Sequence, residues 1–375
     1  MIKVANIVFN SFVNDSRVIK ESTSLADNGY IVEVIAHLDK NLIDNEKQGN
    51  FTIRRFSYLD RTVTKSKIAK LRAYFKYTKE SVLYCKEFDI LHCNDLNTLP
   101  IGFIIKKFFN KNLKIVYDAH EYETEMNGLQ GLHKKLAQIL EKFFIKYANK
   151  TITVSDGIAN EYVKLYNIEK PALVLNTPFY EEIEKKNIFR ETFDIAKDKT
   201  IFLYQGSLGK GRGIEVLVDA FKELDTDSVL VFMGYGQLEQ VLKEQAEKYQ
   251  NIYFHEAVSP DILLDYTSST DFGISTIEDT CLSYHYCLPN KMFEYIMAEV
   301  PVIVSNLPEM KKIVVDNNVG VAAKTNTIEG LKEAITEATK LDKDKMRINL
   351  QKLKNIYNWE VQEKVLLEVY EGLFT

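Results

Sequence analysis

Short runs rich in β-branched residues alternate along the chain with longer segments whose apolar residues recur at helical spacing. Such alternation indicates βαβ units and parallel sheets. The runs fall into two groups, separated by a pause. We predict strands in the first group at 4–9, 31–36, 51–56, 90–93, 114–117, 151–154 and 172–175, and in the second at 201–204, 229–233, 252–254, 272–275, 302–305 and 320–323.

The pause extends from Thr177 to Lys199 and contains Pro178 and a charged stretch without a strand-like run. We interpret it as a linker between two domains, 1–178 and 179–358. We expect a last helix near 359–375 to pack back on the first domain. Open parallel sheets bind ligands at the carboxyl ends of their strands. The sequence therefore predicts an α/β protein with two Rossmann-like domains whose parallel sheets face each other across a cleft.

Length and composition fit this picture. The 375 residues exceed one ordinary core, and the hydrophobic (46%) and charged (27%) fractions are typical of globular proteins. No run of 18 apolar residues predicts a membrane span, and the first residues resemble a strand rather than a signal peptide. The four cysteines lack metal-site or disulfide spacing, so we expect a cytoplasmic protein.

Charge is divided unevenly between the two halves. Residues 1–178 hold 26 Lys and Arg against 20 Asp and Glu, whereas the remainder holds 22 against 33. The basic excess clusters at 61–79, 106–114 and 134–150, interleaved with aromatic residues. This combination suits an anionic membrane surface, which would make the protein peripheral on the inner face of the plasma membrane. A solvated helix face with an ordinary core stripe explains it equally well.

Two polar segments follow predicted strands of the first half. Asn14 to Ser16 can cap a helix that runs to Asn28 and stops at Gly29, and with Arg17 they form an anion-ready helix start. The strand 114–117 leads into Asp118, His120 and Glu121, the position where these folds carry out chemistry. His120 could hydrogen-bond a sugar hydroxyl. Ordinary capping and a structural histidine are the simpler alternatives.

A glycine-rich loop follows the first strand of the second half. Its glycines would let backbone N–H groups approach a phosphate, Lys210 and Arg212 supply cations, and a helix start follows. The loop has neither the order of a Walker A motif nor that of a nicotinamide site. Further along, Pro289 precedes a helix that places Asn290 and Glu294 one turn apart, so that a carboxylate could accept hydrogen bonds from a ribose.

These segments resemble the retaining GT-B glycosyltransferases of family 4 over nearly the whole chain. The most specific match is the signature YxLPNKxFEYxxA, carried here by Tyr286, 288–291, 293–295 and Ala298. The resemblance implies that Glu294 holds the ribose, that Arg212, helped by Lys210, contacts the pyrophosphate, and that His120 lies near the sugar. The implied donor site is Gly206, Ser207, Lys210, Arg212, Gly234, Tyr286, Asn290, Lys291 and Glu294, and the implied acceptor side is Asn14, Asp15, Arg17, Asp118 and Glu121.

Two departures from the family pattern concern the donor. Tyr286 stands where the family has the first Glu of an E-x7-E motif, which addresses the hydroxyls of the sugar. Ser207 replaces the usual Arg after the glycine. The sequence Asp225-Thr226-Asp227 has the form of a metal-binding DxD, but it precedes a strand and we interpret it as a solvated turn. We therefore expect no metal.

The expected reaction transfers a sugar from a nucleoside diphosphate, in the first place UDP, to a hydroxyl of a lipid-linked or surface glycan, with retention. The acceptor class points to polysaccharide biosynthesis for a bacterial cell envelope. Nucleic acid is not expected as a partner. Two alternatives stay open: a weakly catalytic subunit that binds a partner or glycan, and a sugar-nucleotide epimerase.

Overall fold

A computed structural model describes residues 1–57 and 66–374. The basic cluster predicted from Arg61 onward therefore begins outside the described residues. The chain forms two compact units: unit 1 comprises Met1–Val174 and Glu363–Thr375, and unit 2 comprises Leu175–Gln362. Each unit contains one sheet, covered by helices.

The sheet of unit 1 has eight strands in the order β3-β4-β2-β1-β5-β6-β7-β8. All seven strands predicted here are confirmed, and β3 is an addition. It pairs antiparallel with β4, whereas every other pairing among the described strands is parallel. The strands are β1 (Lys3–Ile7), β2 (Ile31–Leu38), β3 (Asn45–Gln48), β4 (Phe51–Ser57), β5 (Ile90–Asn94), β6 (Lys114–Ala119), β7 (Lys150–Thr153) and β8 (Ala172–Leu173).

Three helices of unit 1, α1, α2 and α5, begin at a side-chain cap: Asp15, Ser66 and Ser155. Asp15 caps α1 by accepting a hydrogen bond from the Val18 amide, and Gly29 follows the helix at φ +87°, as predicted from the capping residues. Short 3-10 turns at Glu123–Glu125 and Ile145–Tyr147 flank α4. The helices are α1 (Ser16–Asp27), α2 (Lys67–Cys85), α3 (Asp95–Phe108), α4 (Gly131–Phe144) and α5 (Asp156–Tyr166).

The sheet of unit 2 is parallel and six-stranded, in the order β11-β10-β9-β12-β13-β14. All six strands predicted for this half are confirmed. The first of them, predicted to end at Tyr204, continues to Ser207 because Gly206 and Ser207 still pair with β10. The strands are β9 (Thr200–Ser207), β10 (Ser228–Tyr235), β11 (Ile252–Glu256), β12 (Phe272–Ser275), β13 (Val302–Ser305) and β14 (Gly320–Ala323).

Helices cover both faces of this sheet, and two apolar clusters fill the space between. The segment interpreted as a linker carries the short helix α6, whose Phe189 is fully buried in one of these clusters. The remaining helices are α6 (Ile188–Phe193), α7 (Ile214–Lys222), α8 (Glu239–Lys248), α9 (Leu263–Ser268), α10 (Leu282–His285), α11 (Asn290–Met297), α12 (Pro308–Val314), α13 (Ile328–Ala338), α14 (Lys343–Lys354) and α15 (Trp359–Glu371).

The last helix, α15, begins in unit 2 and ends in unit 1. Its Tyr370 is fully buried and contacts Tyr30 and His92 of unit 1 edge-on or tilted. Within the described residues, no helix combines the length and the apolarity needed to cross a bilayer.

Candidate functional site

Arg17 and Asp118 form a buried ion pair at the carboxyl end of β6 in unit 1. The Arg17 guanidinium donates from Nε and Nη2 to Asp118 at 2.8–3.0 Å, and from Nη1 to the carbonyl of Val174 at 2.7 Å. Both side chains are almost completely excluded from solvent. The two residues, predicted on the acceptor side, therefore hold each other and the end of β8 in place.

Glu21 and His92 complete the buried cluster. Glu21, one helical turn after Arg17, lies 3.1 Å from the guanidinium and 3.7 Å from Nε2 of His92. The other ring nitrogen of His92 is hydrogen-bonded to the Tyr370 hydroxyl at 2.8 Å. His120 also contacts Asp118. The cluster of titratable side chains therefore consists of one guanidinium, two carboxylates and two imidazoles.

His120 lies at the edge of this cluster and is one-fifth exposed. Its Nε2 is 3.3 Å from Asp118 Oδ2, and its Nδ1 is 3.7 Å from Asp95 Oδ1. Asp95 opens α3 with φ +61°, a strained value for a residue other than glycine. Two carboxylates therefore fix the imidazole from both sides, while part of the ring stays open to solvent.

The pKa values of the clustered side chains are shifted in different directions. Burial alone would lower the pKa of His120, but Asp95 and Asp118 outweigh it and raise that pKa to about 9. Burial would raise the pKa of Asp118, yet Arg17 and His120 hold it well below its usual value. Burial raises the pKa of Glu21 to about 7 despite Arg17. At neutral pH His120 is a cation and Asp118 an anion, and Glu21 is partly protonated.

Glu21, Asp118 and His120 are also a candidate metal group, with ligand atoms within 4.8 Å of one another. The Arg17 guanidinium already contacts both carboxylates and supplies the positive charge there. A second cation would have to displace it from a buried bidentate pair, which is unfavourable. We therefore assign no metal to this group.

The remaining acceptor-side predictions lie at the surface of unit 1. Asn14 is exposed, and Asp15 is half-buried and engaged as the cap of α1, with a further hydrogen bond from Asn10 at 3.0 Å. Glu121 is exposed directly after His120. Asp15 therefore has a structural role as the cap of α1. Glu121 is the one of these three residues that follows His120 directly in the sequence.

In unit 2 the end of β9 pairs with β10 through two glycines. Gly206 lies opposite Gly234, and a Cβ on Gly234 would overlap the carbonyl oxygen of Gly206. Gly206 itself is exposed at φ +97°, a conformation that favours glycine. The backbone at the end of β9 is thus not covered by side chains at these two positions, so that a phosphate could approach it closely.

The Lys291 side chain reaches toward this backbone from the first turn of α11. Its ammonium lies 3.4 Å from the centre of the Tyr204 ring, and its Cε lies near Gly206. Among the described residues Nζ has no hydrogen-bond partner, although the side chain is only 9% exposed. Burial, with a contribution from Arg212, lowers the pKa of Lys291 well below its usual value, although Glu294 opposes this. A buried ammonium without a hydrogen bond is unfavourable, and an anion bound at Nζ would supply one.

Arg212 supplies a second cation beside it. The guanidinium is half-buried and lies 5.4 Å from the centre of the Tyr284 ring, and the loop carbonyl of Arg212 accepts from Thr276 at 2.8 Å. Lys210 is exposed in the same loop. Within residues 1–57 and 66–374, no side chain caps the starts of α7 and α11, so their amide dipoles add to the positive potential.

Glu294 is held by a short chain of amide and hydroxyl groups. Gln205, at the end of β9, donates to Glu294 at 2.6 Å, and Gln205 in turn accepts from Thr267 at 2.8 Å. The backbone N–H of Gln205 donates to the Tyr295 hydroxyl at 3.2 Å. Glu294 is half-buried, and its neighbour in sequence, Tyr295, is buried in the core. The backbone that carries the carboxylate is therefore held in place.

Three further donor-site predictions also lie in unit 2. Ser207 and Asn290 are exposed, at the end of β9 and the start of α11, and Tyr286 is half-buried against His285. The DxD segment lies elsewhere: Asp227 is largely exposed just before β10, at the amino end of the strand. The turn predicted there is confirmed.

Sequence reasoning missed Glu21, His92, Tyr370 and Gln205. Each left a signal. Glu21 is four residues from Arg17 and thus on the same helix face, and His92 interrupts an apolar strand whose every residue is buried. Gln205 follows Tyr204 at the carboxyl end of β9. Only Tyr370 needed knowledge of where a distant helix packs.

Two family models match the chain. Residues 17–177 match the model of glycosyltransferase family 4, and residues 185–354 match the model of glycosyl transferases group 1. An uncharacterized glycosyltransferase of Methanocaldococcus jannaschii is 24% identical over 312 residues, which is 78% of this chain and 77% of that protein. The chitobiosyldiphosphodolichol β-mannosyltransferase of Kluyveromyces lactis is 22% identical over 367 residues, covering 84% and 78%.

A solved structure agrees on the fold. Anabaena HepE, in complex with UDP and glucose, superimposes with a TM-score of 0.76 at 14% identity, covering all of both chains. At this identity the similarity concerns the fold, which is GT-B. Since the two family models together match most of the chain, and its relatives are glycosyltransferases, the protein belongs to the glycosyltransferases of the GT-B fold.

Proposed function

We propose that the protein transfers a sugar from a nucleoside-diphosphate donor, UDP in the first place, to the hydroxyl of a lipid-linked or surface glycan. The observation that carries the proposal is the buried Lys291 ammonium, which lies beside Arg212 and has no hydrogen-bond partner among the described residues. The two cations stand at the uncapped starts of α11 and α7. A diphosphate has the charge and the reach to satisfy these groups together.

The same groups would assist departure of the diphosphate. As the glycosidic bond breaks, negative charge grows on the leaving phosphate, and Lys291 and Arg212 are fixed where that charge develops. Binding of the anion would restore the ordinary pKa of Lys291 and keep its ammonium charged. No metal is needed for this charge balance, so EDTA should leave turnover unchanged.

Glu294 and His120 have separate roles in the proposal. The Glu294 carboxylate would accept hydrogen bonds from the ribose, since Gln205 already orients it. His120, protonated at neutral pH, would donate to the sugar from Nδ1, which lies 3.7 Å from Asp95, beyond hydrogen-bond distance. Retention follows the family resemblance: front-face attack, with the departing phosphate taking the acceptor's proton.

The acceptor class rests on the relatives. The yeast relative carries the name of a mannosyltransferase acting on a dolichol-linked diphosphate sugar, and HepE is named with UDP and glucose. A lipid-linked acceptor agrees with the basic first half of this chain. The replacement at Tyr286 bears on the sugar, so donor sugars should be screened without assuming glucose or mannose.

A donor screen tests the proposal. The purified protein is incubated with UDP-, GDP- and ADP-sugars and short-chain lipid-diphosphate sugar acceptors, and products are identified by mass spectrometry. We expect one donor to add a single sugar, with the anomeric configuration of the donor by NMR. Donor turnover without an acceptor would indicate the epimerase alternative, and no turnover with any donor would contradict the proposal.

A further inference from the structure

Helix α4 of unit 1 turns its apolar side toward solvent. Leu132, Leu136, Ile139, Leu140 and Phe143 are all exposed, from 39% for Leu140 to 83% for Leu132. At about 100° per residue these five side chains occupy about 100° of the helix surface. An ordinary surface helix buries such a stripe against the core. Here the stripe is the outer face.

The opposite side of α4 is polar and buried. Glu141, about 150° from the centre of the stripe, is completely excluded from solvent. Its carboxylate accepts hydrogen bonds from the hydroxyls of Tyr117, Tyr162 and Tyr166 at 2.5–2.7 Å. Three donors on one carboxylate fix the rotation of the helix, and removing that carboxylate would leave buried hydroxyls unpaired. The hydrogen bonds of Glu141 therefore keep the apolar stripe turned toward solvent.

A second contact holds the first turns in the same orientation. Glu125 accepts from Lys134 at 2.6 Å and from Gln138 at 3.1 Å. Both donors lie on the inner side of the helix, beside Glu141. The polar inner side is thus tied to the body of unit 1 at both ends of the helix.

The apolar surface continues beyond α4. Phe143 contacts Phe103 of α3 with ring centres 5.3 Å apart, and Phe103 contacts the exposed Phe108 at 6.5 Å. On α2, Ile68, Leu71 and Phe75 repeat the pattern of exposed apolar side chains. The residues of α4 and α3 that these ring contacts join form an exposed apolar patch, and such a patch marks an interaction surface.

Basic side chains border the stripe. Lys135 and Lys142 are exposed along one edge, and His133 is exposed along the other. Glu141, which points inward, is the only acidic residue of α4. A second copy of the chain docked symmetrically on this face would bring the same cations to both sides of the contact. An apolar stripe edged by cations matches instead the acyl boundary and the charged headgroups of an anionic bilayer.

We propose that the outer face of α4, defined by Leu132, Leu136, Ile139, Leu140 and Phe143, inserts into the surface of an anionic lipid bilayer. The helix would lie in the plane of the interface, with Lys135 and Lys142 at the headgroups. This goes beyond the proposed function, because neither donor nor acceptor takes part in it.

Vesicle sedimentation tests the proposal with the full-length protein and no donor. Wild type should sediment with vesicles of phosphatidylcholine and phosphatidylglycerol, more weakly with phosphatidylcholine alone, and less as salt rises. The double variant Leu136→Ser, Ile139→Ser should weaken binding about tenfold or more, because two apolar side chains no longer leave water. Lys135→Glu with Lys142→Glu should abolish the preference for the anionic lipid.

A matched control uses exposed apolar residues of unit 2. Val241 on α8 and Ile348 on α14 are 49% and 54% exposed, comparable with Leu136 and Ile139 at 54% and 65%. The variant Val241→Ser, Ile348→Ser should bind vesicles like wild type. Equal binding by the α4 variant and wild type would overturn the proposal. So would a wild-type dimer, seen by light scattering without vesicle binding, that the α4 variant dissociates.

Discussion

Replacing Arg212 or Glu294 with alanine should lower kcat/KM at least about a hundredfold while leaving the fold intact. In the proposed reaction Arg212 is one of two cations that would stabilise the leaving diphosphate, and Glu294, which accepts a hydrogen bond from Gln205, would hold the ribose. Neither side chain fills the core, since both are half-buried. Turnover is measured with the donor found by the screen, and folding by circular dichroism.

A control variant at the far end of α7, the helix that follows Arg212, separates the effect from general loss of charge. Lys222 ends α7, and its ammonium lies 5.2 Å from the centre of the Tyr249 ring, a contact like that of Arg212 with Tyr284. Lys222→Ala should keep turnover within about threefold of wild type. If Arg212→Ala and Glu294→Ala both match Lys222→Ala, the site is wrongly assigned.

Asp118→Ala should destabilise unit 1 by about 3–5 kcal/mol. The substitution leaves the Arg17 guanidinium buried without its bidentate partner, and it removes a carboxylate from His120. Urea unfolding followed by circular dichroism measures the loss. A change below about 1 kcal/mol would show that Arg17 does not depend on Asp118.

Glu21→Gln is the matched control for Asp118→Ala, since both carboxylates are fully buried in the same cluster. Burial raises the pKa of Glu21 to about 7, so the folded state keeps a proton that the unfolded chain has lost. Between pH 4.5 and 7 the contribution of Glu21 to stability therefore falls as pH rises. At pH 8 the Glu21→Gln variant should have a free energy of unfolding close to or above that of wild type. A loss as large as that of Asp118→Ala would contradict this.

The sequence predicted every parallel strand of the two sheets, because buried parallel strands are continuous β-branched runs. Only β3 escaped, since Asn45–Gln48 is polar and pairs at the edge of the sheet. Of the donor-side predictions, Lys291, Arg212 and Glu294 lie close to one another near the end of β9.

Two features could not be predicted from periodicity. Amphipathic spacing identifies α4 as a helix with one apolar side, but the same spacing is compatible with burying either side. The direction is set by Tyr117, Tyr162 and Tyr166, which come from β6 and α5 and meet Glu141 only in three dimensions. The protonation of Glu21 likewise depends on burial and on Arg17, neither of which appears in the spacing of residues.

The central claim is that Lys291 marks a diphosphate site, and thermal unfolding with UDP, GDP and ADP tests it most directly. At saturating ligand, one nucleotide should raise Tm by roughly 5 °C or more in wild type. Lys291→Met keeps the apolar stem and removes the buried charge, so it should fold normally and show little or no shift. If none of the three nucleotides stabilises wild type, or if the variant is stabilised equally, the claim is contradicted.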